Sequence, residues 1–220
     1  MSALESFYTL SASACAEFTE RKSRFIGYAS PAVNEEAALR CIQSVRDAHK
    51  TASHHCYAYI IGFNAGVMRY QDDGEPQGTA GIPILEVIKK NSLVNCCAVV
   101  TRYFGGVLLG TGGLARAYSR ACAMAVQKAG IAAAESSVYL TVRISYSVWD
   151  KLNYALEKLP VVVVDRTFES CVVLKIAVRE KDKGLIEDLL AAHTDGTADV
   201  QASAPFIMNW PIGDDLLFHG

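Results

Sequence analysis

Between residues 138 and 207 the hydrophobic period changes in a fixed order, and that order leaves few folds open. Val138, Leu140, Val142, Ile144, Tyr146 and Val148 occupy alternate positions, the two-residue period of a half-buried strand. Asp150 then stands where a helix N-cap belongs, with Leu152, Leu156 and Leu159 on one face before Pro160 stops the helix. Residues 161–168 and 171–178 are β-branched strands joined tightly at Glu169-Ser170. Asp182 is placed to cap a second helix that carries Leu185, Ile186, Leu189 and Leu190, and residues 198–207 supply a last strand. The order is β-α-β-β-α-β, the split βαβ pattern of a ferredoxin-like domain. This predicts a C-terminal domain over 138–208 and a tail over 209–220.

The first half is mixed α/β. Strands are predicted over 8–14 and 25–29, with the charged stretch Glu20-Arg21-Lys22-Ser23-Arg24 between them. Asn34 caps a helix through Ala48 that turns Ala37, Ala38, Cys41, Ile42 and Val45 inward. A strand over 55–63 and its hairpin partner over 67–70 follow. A short helix over 80–90 has Pro83 in its first turn. Residues 96–103 form a buried strand, and 113–129 a long helix ended by Gly130. Residues 131–137 are the expected boundary, so the first domain spans 1–133 and the fold class is α+β.

Composition limits the partners. The chain has 220 residues, 51% hydrophobic and 20% charged, with a formal net charge of -2. A core can form, but no global field holds a polyanion. Residues 1–135 carry 13 basic and 11 acidic side chains against 8 and 12 in the remainder, so an anionic partner belongs to the first domain. No apolar run reaches the roughly 18 residues of a membrane helix. The first ten residues lack a basic n-region, and no membrane role is expected. Seven cysteines, an odd number without a Cys-x-x-Cys, fit reduced thiols in the cytoplasm.

Two segments could carry chemistry. In residues 69–81 Asp72, Asp73 and Glu75 surround Gly74 between a strand and a helix. They form either a tight surface loop or an acidic face for a cation or a basic partner. EF-hand spacing is absent, so no metal is assigned. In residues 101–118 a buried strand runs through Gly105, Gly106, Gly110, Gly112 and Gly113 into a helix. Free amides at a helix start favour an anion. Arg102 lies before the loop, while Arg116 and Arg120 share a helix face, positions from which guanidiniums grip phosphate. No Gly-Lys-Ser/Thr follows, and the acidic residue of a dinucleotide site is missing, so no cofactor is assigned. Glycine here also serves close helix–sheet packing.

His54 and His55 are adjacent and point to opposite faces of a strand. One is expected to be buried and hydrogen-bonded, the other to face a groove. Cys56 has His49 or His54 as a possible base, but no catalytic constellation is legible.

Three stretches are recognisable: Lys22-Ser23-Arg24-Phe25-Ile26, His54-His55-Cys56-Tyr57-Ala58-Tyr59, and Asp72-Asp73-Gly74-Glu75-Pro76 with Gly78-Thr79-Ala80-Gly81. A fourth and longer one runs from Val100 through Arg102, Phe104-Gly105-Gly106 and Gly110 to Arg116-Ala117-Tyr118. Together they resemble the IMPACT family and its bacterial YigZ- and YvyE-like branch. The resemblance implies a first domain like the second domain of ribosomal protein S5, with helices on one side of a sheet, and a ferredoxin-like second domain. Translation elongation factor G carries both folds in adjacent domains that meet the ribosome. Eukaryotic relatives dampen a starvation kinase acting on translation initiation. They place an RWD domain before the signature, and this sequence enters the signature too early to match, so that partner is not carried over.

The expected function is a non-enzymatic, translation-associated regulator. Its partner is RNA, the ribosome or a translation-regulatory protein, held on a surface of Arg102, Arg116, the glycines of 105–113 and the Asp72–Glu75 loop. The alternatives are an enzyme acting on a phosphorylated small molecule, with Asp72 or Asp73 as base, and a protein-interaction module.

Overall fold

A computed structural model describes residues 6–212 of the protein. They divide into two compact units, Ser6–Ala134 with 209–212, and Glu135–Met208.

The first unit contains β1 (Phe7–Leu10), β2 (Ala14–Glu20), β3 (Ser23–Pro31), α1 (Glu35–Ala48), β4 (His54–Ile61), β5 (Val67–Gln71), α2 (Gly81–Lys90), β6 (Cys96–Tyr103) and α3 (Thr111–Ala129). Five strands form an antiparallel sheet in the order β2-β3-β6-β4-β5. The fully apolar β6 takes its centre, where a strand needs cover on both faces. That cover comes from two sides. Cys97, Val99 and Tyr59 pack with Ala38, Ile42 and Val45 of α1. Cys96, Ala98, Val100, Cys56 and Ala58 pack with α2 and α3. The expectation of helices on a single side is therefore corrected: β4 and β6 are apolar at successive positions, which puts apolar groups on both faces.

Local signals explain the elements. The Asn34 side chain accepts from the Ala37 amide at 2.8 Å, the predicted cap of α1. The charged stretch after Phe18 is a hairpin turn: Glu20 pairs with Ser23, and Arg21 and Lys22 both have positive φ, 45° and 66°. Helix α3 packs tightly because Ala117, Ala121 and Ala125 are small and because Gly27 lies beneath it. A Cβ on Gly27 would sit 2.1 Å from the Ala121 carbonyl oxygen.

Strand β7 (Ile131–Ile144) is continuous through the expected boundary. Its residues Ile131 to Ala134 pair with β1 in the first unit. The second unit continues with α4 (Tyr146–Leu156), β8 (Val161–Phe168), β9 (Val172–Arg179), α5 (Lys183–His193) and β10 (Asp199–Ala202), and β11 (Phe206–Pro211) begins in it and ends in the first. Four strands lie in the antiparallel order β10-β7-β9-β8, and β11 also pairs with β7. Helices α4 and α5 cover one face, where Leu152, Leu156, Ile186 and Leu190 meet Leu140, Val142, Leu174 and Ile176.

Three local expectations change. Helix α4 starts after Ser145, not Asp150, because Val148 and Trp149 join Leu152 and Leu156 against the core at helical spacing. Asp182 occupies the N-cap position of α5 but makes no capping bond, and its carboxylate lies 3.9 Å from Arg179. The last strand is two, divided at Ser203-Ala204-Pro205, where proline has no amide for the ladder. Residues 209–211, expected as tail, belong to β11; residues 213–220 lie outside the described residues. No helix among the described residues is long and apolar enough to cross a membrane.

Candidate functional site

The acidic loop after β5 is held from within. Asp72 accepts from the amides of Gly78 at 2.8 Å, Ala80 at 3.0 Å and Gly81 at 2.8 Å. Helix α2 starts at Ala80 without a cap of its own, so Asp72 supplies one from outside the helix. Asp73, at φ 46°, accepts from the His55 amide at 2.7 Å and meets Arg46 at 3.4 Å. Gly74 has φ +88° and sits against the His54 ring. Glu75 is buried, and its Oε1 accepts from Arg102 at 2.6 Å and from the Tyr118 hydroxyl at 2.7 Å. Burial pushes the Tyr118 hydroxyl far above its ordinary pKa, so it stays a donor.

His54 and His55 are both half-buried and hydrogen-bonded, where one buried and one groove-facing histidine were expected. His54 donates from Nδ1 to the Asp73 carbonyl at 2.8 Å, which leaves Nε2 toward Glu75 at 3.8 Å. His55 pairs with the Thr101 hydroxyl at 3.1 Å, and desolvation lowers its pKa. His49 lies between the Tyr28 and Tyr103 hydroxyls. The Cys56 thiol donates to the Asp72 carbonyl at 2.9 Å, and burial raises its pKa, so it is no nucleophile. Cys41 differs: a hydrogen bond from Cys97 lowers its thiol to about 7. Among the described residues no group of three or more His, Cys, Asp or Glu could hold a metal.

Arg102 is not at the surface. It is 4% exposed, its guanidinium donates to Glu75 and to Ser23, and it lies over Phe25 and Phe104. The strand alternation turns it toward α3 rather than outward. The expected single surface thus separates: Arg102 and Glu75 meet, but inside the core. Gly105 belongs with them. Its amide donates to Ser23, and a Cβ would fall 2.1 Å from the Lys22 backbone. Gly106 and Gly110 have φ +81° and +73° with open space around them, so conformation alone explains them.

Arg116 and Arg120 do come together, at a cavity of about 280 Å³ lined by Phe18, Glu20, Arg21, Leu109, Gly113, Arg116, Ala117 and Arg120. Gly110 precedes α3 without a side-chain cap for the first-turn amides, and the Leu114 amide is closed on the Gly110 carbonyl. The Arg116 guanidinium folds back over Gly112, 3.6 Å from where a Cβ would stand. Arg120 rests on the Phe18 ring at 4.4 Å. Arg21 reaches the Leu108 carbonyl at 3.4 Å. Among the described residues none of the three guanidiniums has a carboxylate partner. Arg21 went unassigned in the sequence because its role depends on the hairpin turn, whose two positive-φ residues are neither glycine nor asparagine. Exposed Phe104, Val107 and Leu108 lie in the same glycine-rich loop.

The Impact N-terminal domain family matches residues 21–126, a span holding the turn, the acidic loop, β6 and all but the end of α3. The IMPACT family member YvyE of Bacillus subtilis (strain 168) is 34% identical over 90% of this chain and 91% of its own length. The IMPACT family member YigZ of Escherichia coli (strain K12) is 32% identical over 72% of this chain and 78% of its own. A crystal structure described as that of an hypothetical protein is similar with a TM-score of 0.57 and 29% identity, over 91% of this chain and 98% of that one. A relative of such identity across nine-tenths of both sequences places the chain in the IMPACT family.

Proposed function

We propose that this protein is a cytoplasmic, translation-associated regulator that binds RNA, free or in the ribosome, without catalysing a reaction. The site is the cavity beside α3, with Arg21, Arg116 and Arg120 as phosphate ligands and Gly112 and Gly113 offering backbone amides. The observation that carries this reading is the convergence on one cavity of three guanidiniums that, among the described residues, have no carboxylate within ion-pair distance, with Glu20 the one carboxylate in the described lining. Such a group of like charges favours an anionic guest, and arginine matches phosphate oxygens in pairs. Exposed Phe104 beside the loop offers a stacking surface for an unpaired base.

The resemblance to eukaryotic relatives, with its implied role of dampening a kinase that acts on translation initiation, supports the translation context. In this reading residues 1–133 are an S5-domain-2-like module and 138–208 a ferredoxin-like one. The order β10-β7-β9-β8 supports the second assignment. Co-sedimentation with ribosomes tests the proposal. Binding at low salt that weakens at high salt, and weakens again in Arg116→Glu, is expected. Binding that ignores both overturns it.

A further inference from the structure

We propose that the arginine cavity takes a terminal phosphate, the phosphomonoester dianion found at an RNA 5′ end or on a mononucleotide, in preference to an internal phosphodiester. The inference rests on the anion-site reading of this cavity and narrows it. Its first ground is charge. The lining holds three guanidiniums, Arg21, Arg116 and Arg120, against one carboxylate, Glu20. A monoester at neutral pH carries about 1.5 to 2 negative charges on three terminal oxygens. An internal diester carries one charge on two, so it leaves a cation unmatched.

The second ground is position. The cations come from three separate places, the β2–β3 turn and two successive turns of α3, and two of them are held in place. Arg21 donates to the Leu108 carbonyl and Arg120 lies on Phe18, while Arg116 stands near Gly112 with nothing among the described residues to restrain it. Guanidiniums placed in advance lose less freedom when they grip a phosphate. The third ground is size. About 280 Å³ lies just below the roughly 300–1,000 Å³ of pockets that enclose whole ligands. One terminal group fits such a space. Phe18, Leu109 and Ala117 give that space an apolar wall for the attached sugar.

The experiment is fluorescence anisotropy of the full chain with one short RNA prepared with a 5′-phosphate or a 5′-hydroxyl, and isothermal titration of the full chain with AMP. The 5′-phosphate is expected to bind about tenfold more tightly, a charge-assisted contact of about 1.4 kcal/mol. Arg116→Gln and Arg120→Gln, both at exposed positions, are expected to remove the preference and leave the thermal midpoint in place. AMP that binds directly while neither RNA does, with the same loss in the variants, supports the phosphomonoester site with a free nucleotide as its source, and sinks the RNA reading. Equal binding of both RNA ends overturns the inference and leaves the RNA reading standing. No binding of RNA or AMP overturns both.

Discussion

Oε1 of Glu75 accepts a hydrogen bond from the Arg102 guanidinium at 2.6 Å, with the two side chains 4% and 5% exposed. This pair joins the acidic loop to the centre of the sheet, and Tyr118 ties it to α3. Removing one member strands the other as a buried charge. Arg102→Ala is expected to lose about 3–5 kcal/mol in urea denaturation. Arg116→Ala, at an exposed position, is expected to stay within about 0.5 kcal/mol of the parent. Equal losses would mean that Arg102 is not a core residue.

Asp72 closes three backbone amides that nothing else reaches. Asp72→Ala is expected to lose about 3 kcal/mol, as orphaned donors and a lost helix cap together imply. Asp72→Asn keeps one oxygen for Ala80 and Gly81 and is expected to lose less. The same denaturation curves report both.

Gly105 and Gly106 are neighbours with different reasons to be glycine. At Gly105 an added Cβ meets the Lys22 backbone at 2.1 Å, and at Gly106 it meets nothing. Gly106→Ala is expected to lose about 1–2 kcal/mol for its positive φ. Gly105→Ala is expected to lose clearly more, because backbone must move. Thermal unfolding of the two variants ranks them.

Cys41 is the thiol expected to react first. The Cys97 S–H has two acceptors in reach, the Ala38 carbonyl and the Cys41 sulfur, and donation to the latter stabilises a thiolate. Iodoacetamide labelling of Cys41 is expected to rise through about pH 7, while buried Cys96, pushed up to about 12, stays unlabelled. The folded-state value lies below the ordinary 9.0, so the folded chain binds fewer protons there. The associated stability is present above about pH 9 and fades as pH falls through about 7. Labelling of both thiols at one pH contradicts this.

Periodicity placed β6, α1 and both cores, because burial on one face leaves its period in the residues. It misplaced the start of α4, since Tyr146 and Val148 continue the alternation of β7 by coincidence. It could not tell a boundary from a strand over Ile131–Ala134, where three alanines carry no period. Arg102 was assigned to the surface from its nearness to the glycine loop, yet strand alternation decides its direction and the partner, Glu75, lies 27 residues away. Arg21 joins Arg116 and Arg120 only through the pairing of β2 with β3 and their packing on α3, a tertiary fact with no local signal.

The account depends most on the arginine cavity holding phosphate, and the salt dependence of RNA binding tests it most directly. One terminal phosphate, counted as one to two neutralised charges, predicts a slope of log affinity against log salt between about −0.7 and −1.4, or roughly a three- to sevenfold loss between 50 and 200 mM. Arg116→Ala with Arg120→Ala is expected to bring that slope close to zero. A parent slope near zero, or a double variant with the parent slope, would show that these guanidiniums do not meet phosphate.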